Sequence, residues 1–163
     1  MQTRIGQTCL FAVVALGLVV VLAGTVLAQP GSSNLGTWKL NLAKSTFAPG
    51  TAPRSSTFTN VVAGAGIKTT SDSEAADGTA RHSEYTQVYD GKDYPIPNSL
   101  SGDVSAGTRI DANTVTFVYK KGGKVTVTTT NVVSSDRKTY TITAKGTNTL
   151  GQTINSVAFY EKQ

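Results

Sequence analysis

His82 is the single histidine of the chain, and Glu84 follows it two residues later. In an extended segment residues i and i+2 share one face. An imidazole and a carboxylate placed that way could pass a proton or hold a metal ion. A metal site needs further nitrogen or sulfur ligands, and the one cysteine, Cys9, lies in an N-terminal leader. The plainer reading is a pair on a surface or rim. No Gly-x-Ser-x-Gly nucleophile motif, P-loop or dinucleotide-type glycine pattern is present. No catalytic residue, metal or cofactor is therefore assigned.

The tyrosines carry more. Tyr85 and Tyr89 lie four residues apart on one face of a strand, and Tyr94 follows the next turn. Phe117, Tyr119 and Tyr140 fall on strand faces expected to point inward. A tyrosine joins an apolar ring to a polar tip, which suits the wall of a partly wet cavity. Tyr85, Tyr89, Phe117, Tyr119 and Tyr140 are accordingly the candidate ligand-binding set, with a filled core as the competing reading. Asp90-Gly91-Lys92-Asp93-Tyr94-Pro95 has the acidic, glycine-containing look of a calcium loop but lacks the spaced oxygens and the distal glutamate of one. It reads as a hairpin turn with charged tips. Arg109 could serve as counter-ion to an anionic ligand, yet its place beside the turn at Asp111 puts it at the surface.

The elements that must hold these residues are strands. Threonine- and valine-rich runs alternate with glycine, aspartate and asparagine, the residue types of strands and turns. Strands are expected near 36–42, 55–63, 66–75, 79–89, 92–97, 104–110, 113–121, 123–134, 138–146 and 152–161. Turn signals at Asp77-Gly78, Asp90-Gly91, Asp111-Ala112-Asn113, Gly122-Gly123, Ser135-Asp136-Arg137 and Asn148-Thr149-Leu150-Gly151 sit at hairpin spacing, so adjacent runs should pair antiparallel. Val115, Phe117 and Tyr119 share one face, as do Val125 and Val127, and Tyr140, Ile142 and Ala144; threonines occupy the other. The segment Ala43 to Arg54, with Pro49, Gly50 and Pro53, is too long for a tight hairpin and reads as a crossing loop or lid. Ten short strands in one meander favour an all-β, closed up-and-down barrel, because closure removes unpaired edges. A two-sheet sandwich is the alternative.

The ends and the charge set the setting. Arg4 precedes an apolar run from Leu10 to Leu27 that ends in Val26-Leu27-Ala28, the order of a secretory signal peptide. A retained membrane anchor is the competing reading. Cleavage after Ala28 leaves a linker, 29–34, and a domain, 35–163, of ordinary size. The expected product is exported, periplasmic or extracellular, and soluble. Without cysteine it must rely on a hydrophobic core and a hydrogen-bonded sheet. The net charge of +5 for the whole chain is modest. Its longest basic cluster, Lys120-Lys121-Gly122-Gly123-Lys124, falls on a turn with no basic stripe or interleaved aromatics beside it. A nucleic-acid partner is not expected.

The first strand, Gly36-Thr37-Trp38-Lys39-Leu40-Asn41-Leu42, carries the Gly-x-Trp opening of lipocalins and fatty-acid-binding proteins. In size, strand count and this motif the chain resembles an exported bacterial member of the lipocalin-like (calycin) superfamily. The ensemble of Trp38 to Asn41, Asp90 to Pro95, Arg109 to Thr114 and Phe159 to Lys162 is similar to a group of small exported bacterial proteins. The resemblance implies that Trp38 packs at the closed end of the barrel, with Lys162 of the last strand across its ring. The second loop motif of true lipocalins, the helical portal of fatty-acid carriers and their Arg-x-Tyr pair are missing, so fatty-acid transport is not implied. The reading that results is a non-enzymatic barrel for an apolar or amphipathic small ligand. The alternatives are a structural or surface-interaction module with a filled barrel and a hydrolytic enzyme using His82 and Glu84.

Overall fold

The computed structural model describes residues 32–48, 50 and 52–163. The signal segment 1–28, the first linker residues and Pro49 lie outside them. Over these residues the protein is all-β, and the ten strands follow the expected runs closely. They are β1 (Gly36–Leu40), β2 (Ser55–Ala63), β3 (Gly66–Glu74), β4 (Ala80–Gln87), β5 (Asp90–Pro95), β6 (Val104–Arg109), β7 (Thr114–Lys121), β8 (Lys124–Val133), β9 (Thr139–Thr147) and β10 (Thr153–Lys162). All belong to one antiparallel sheet in the order β4-β3-β2-β1-β10-β9-β8-β7-β6-β5, curled into a nearly closed barrel. A sandwich of two separate sheets is not formed.

Each hairpin is made by residues suited to its turn. Gly122 and Gly123 both have positive φ, 54° and 77°, the conformation a two-residue hairpin between right-twisted strands requires. The basic cluster around them is a turn as expected, with Lys120 on Asp93 and Lys121 on Asp103. Gly107 serves a close approach instead. A methyl group there would lie 2.8 Å from the Phe117 ring and 3.0 Å from that of Tyr89, and its absence lets those rings meet edge to face at 5.7 Å.

Two expectations of pairing are corrected. The Asp90-Gly91 hairpin is not formed, since the chain bends at Val88-Tyr89 and Asp90 already pairs with Thr108 of β6. A bulge between Asp90 and Asp93 follows, and no ladder joins β4 to β5. Both strands have the composition of edges: β4 carries Arg81, His82 and Glu84, and β5 carries Asp90, Lys92, Asp93 and Pro95. Charge and proline oppose strand addition. The Ala43–Arg54 segment, expected as a crossing loop or lid, is joined to the sheet over its first described residues. After a 3-10 turn at Leu42–Lys44, Thr46 exchanges backbone hydrogen bonds of 2.8 Å with Val157, and Ala48 O accepts from Asn155 N at 2.7 Å. The segment thus continues the line of β1 along β10 and covers an edge that β1 is too short to reach.

The core lies toward one end. Trp38, fully buried, packs with Phe58, Val133, Tyr140 and Tyr160. Its indole Nε1 donates to Asn34 O at 3.0 Å, and Lys162 Nζ sits 5.2 Å above its ring. Ser32–Asn34, read from sequence as the end of a linker, is a 3-10 turn built into the barrel. Asn34 O also accepts from Asn60 at 3.0 Å, Asn34 Nδ2 donates to Tyr89 OH at 2.8 Å, and Ser33 Oγ donates to Ala112 O at 2.8 Å. These bonds close the end of the barrel at which β2, β4 and β6 finish.

Candidate functional site

The alternation of the strands decides what faces inward. Ser56, Phe58 and Asn60 on β2, Thr129 and Asn131 on β8, and Ser105 on β6 are all buried. The interior wall is thus a mixture of rings, hydroxyls and amides. A buried polar group must find a partner or cost free energy, and most here do. Thr69 Oγ1 donates to Asn60 Oδ1 at 2.8 Å, Gln87 donates to Ser105, Tyr160 and Ser56 share a hydrogen bond of 3.2 Å, and Asn131 Nδ2 donates to Tyr140 OH at 3.1 Å. The carbonyl oxygen of Asn131 and the hydroxyl of Thr129 are buried with no partner among the described residues.

Within this wall lies a cavity of about 190 Å³. Tyr85 and Tyr89 from β4 and the bend after it, Phe117 and Tyr119 from β7, and Tyr140 from β9 all line it, so the structure brings the five candidate residues together. Phe58, Asn60, Thr69, Ser71, Asn131, Ile142 and Tyr160 complete the lining. Sequence reasoning left these out, although the Ser56-Phe58-Asn60 alternation and Tyr160 in the last strand were signals available to it. Burial pushes the Tyr85 hydroxyl up to about 12 and those of Tyr89, Tyr119, Tyr140 and Tyr160 up as well. Every ring in the lining is therefore neutral at physiological pH, and no lining residue is charged.

The cavity shares Ser71, Tyr85 and Tyr119 with a larger cleft of about 630 Å³. That cleft lies between Thr79–Tyr85 and the β5–β6 loop, Ile96–Ser101, at the end of the barrel opposite Asn34. The missing β4–β5 ladder is what leaves it there.

The remaining residues singled out in the sequence fall as follows. His82 and Glu84 do not meet: His82 Nδ1 is 2.6 Å from Asp72 Oδ1, and Glu84 Oε1 is 2.9 Å from Lys68 Nζ. Asp72 sits directly opposite His82 in the ladder, and cross-strand neighbours are closer than residues two apart along one strand. Both side chains are solvent-exposed, as the surface reading expects. Arg109 is not a surface residue. It is half-buried opposite Val115, with its guanidinium 5.1 Å from the Tyr89 ring centre. Nη1 donates to Asp111 O at 3.4 Å, while Nε and Nη2 are buried without a partner among the described residues. Val125 also differs: it shares a face with buried Val127 but lies past the rim, 62% exposed.

Fold and site together define a small, nearly closed antiparallel barrel with a tyrosine-lined internal cavity beneath an open seam, an architecture compatible with the lipocalin-like barrels its Gly-x-Trp opening resembles. No protein-family model, curated protein or solved structure matches the chain.

Proposed function

We propose that this is an exported lipocalin-like barrel that binds a small, neutral, amphipathic molecule built on a single ring. The observation that carries the reading is the cavity itself: about 190 Å³ lined by seven aromatic residues and interleaved with hydroxyls and amides. An apolar cavity of about 150 Å³ suffices for benzene, so one ring with a polar substituent fits and an extended acyl chain does not. No charged residue is among the lining residues, Arg109 approaching only the Tyr89 ring, so the desolvation of an ion in the cavity would be poorly offset and the buried part of the ligand is uncharged. The partnerless oxygen of Asn131 favours a guest that donates a hydrogen bond. The cleft gives such a guest a path and room for a substituent.

Titration calorimetry with benzyl alcohol, phenol and benzoate, beside an environment-sensitive apolar dye, tests this. Stoichiometric binding of dye and neutral ring compounds, with benzoate excluded, is expected. Phe117→Trp or Tyr119→Trp should weaken that binding more than it changes stability. If nothing binds and those substitutions instead destabilise the fold by about 1–3 kcal/mol, as overpacking does, the barrel is filled and acts as a structural or surface module.

A further inference from the structure

Three exposed apolar side chains stand at the mouth end of the barrel: Leu100 (43% exposed), Val125 (62%) and Leu150 (66%). Leu100 and Leu150 come from the β5–β6 and β9–β10 loops and Val125 from the first residues of β8, and these three segments are tied to one another. Thr149 N donates to Leu100 O at 3.0 Å, Thr149 Oγ1 donates to the same oxygen at 3.1 Å, and Thr126 Oγ1 donates to Ser101 O. The hydrogen bonds hold the two loops and the start of β8 as one rim, and Leu100 also lines the cleft. Leu150 and Val125 do not contribute to the core.

Beside this rim two lysines are left without a carboxylate partner. Lys124 and Lys145 are exposed on β8 and β9 close to it. Neither forms an ion pair among the described residues. The acids on the neighbouring strands, Asp93 and Asp103, are already taken by Lys120 and Lys121, and Asp77, which lines a shallow pocket with Leu100, has Arg81 beside it there. Apolar tips that enter an interface, flanked by unpaired lysines that attract phosphate headgroups, make a surface complementary to an anionic bilayer. We infer that the protein docks mouth-first on anionic lipid surfaces through Leu100, Val125 and Leu150, with Lys124 and Lys145 as the electrostatic contacts. The cleft then faces the lipid. The opposite end provides an internal control, since Ile110 is 61% exposed there and takes no part in the docking.

Trp38 is the chain's one tryptophan and is wholly buried, so a tryptophan placed at a rim reports on its own surroundings. Leu150→Trp and Ile110→Trp are titrated with vesicles of phosphatidylglycerol and phosphatidylcholine, and with pure phosphatidylcholine. A blue shift for Leu150→Trp on the anionic vesicles is expected, with little on the neutral ones and none for Ile110→Trp. Adding Lys124→Glu and Lys145→Glu should weaken vesicle affinity by about fivefold for each lysine lost, or more, and added salt should do likewise. No shift for Leu150→Trp, an equal shift for Ile110→Trp, or a shift that appears without vesicles through self-association would overturn the assignment. The readout needs no cavity ligand, so it stands or falls apart from the binding proposal.

Discussion

Trp38 shows how one side chain can fasten both ends of the described chain to the middle. It touches Phe58 of β2 and Tyr140 of β9 at ring-centre distances of 6.5 and 5.3 Å, donates to Asn34, and lies under Lys162. Trp38→Ala should cost about 3–5 kcal/mol in denaturant unfolding while ligand affinity of the surviving folded protein changes little; a loss under about 1 kcal/mol would contradict its burial. The tyrosines give a second prediction at this scale. The Tyr85 hydroxyl, pushed up to about 12 by burial, stays protonated in the fold at pH 11, whereas in the unfolded chain it ionises near 10. The unfolded state then binds fewer protons, so this contribution is complete below about pH 10 and falls as pH rises from there to about 12. The slope is about 1.4 kcal/mol per pH unit for each such phenol. Tyrosinate absorbance at alkaline pH, followed beside urea unfolding at pH 9 and 11, tests it; all six tyrosines titrating near 10 in the intact fold would refute it. The ring positions were legible in the sequence because a period of two assigns a face. Arg109 was not, because the turn beside it suggested exposure while its strand register pointed it at Val115.

At the scale of elements, turn chemistry and alternation carried the strand boundaries to within a few residues. What they did not carry was partnership. Asp90-Gly91 has the composition of a hairpin turn, and the pairing of Asp90 with Thr108 defeats it through a competition between strands that no local window contains. Charge and proline on β4 and β5 were visible, and they are the residues one finds where a sheet is meant to stop. The Thr46–Ala48 stretch was hidden for another reason: two residues of ladder just ahead of Pro49-Gly50 leave no periodicity to detect. Because β4 and β5 lack a shared ladder, amides facing the seam should open at the lowest free energy. Hydrogen exchange followed by NMR should show them exchanging well ahead of those in β9 and β10. Equal protection on both sides of the barrel would mean that the seam is sealed by contacts other than backbone hydrogen bonds.

At the scale of the whole molecule the sheet order places the two ends of the domain in the middle of the ladder. β1 pairs with β10, Trp38 lies opposite Lys162, and Gln163 N donates to Thr37 O at 3.0 Å. The barrel can therefore be finished only when the ends of the domain come together, the kind of distant pairing that slows folding. Among the described residues, the gap in the ladder lies elsewhere, between β4 and β5 at Val88-Tyr89, where the chain happens to be continuous. Moving the break to the gap turns this into an experiment. A circular permutant that joins Gln163 to Ser32 through a short glycine-serine linker and begins at Tyr89 would read β5 to β10 and then β1 to β4, with every ladder between sequence neighbours. It should keep the native circular dichroism spectrum and fold faster than the natural order, since the longest loop closure has been removed. Its new ends would lie at the seam, free of any strand pairing that the barrel needs.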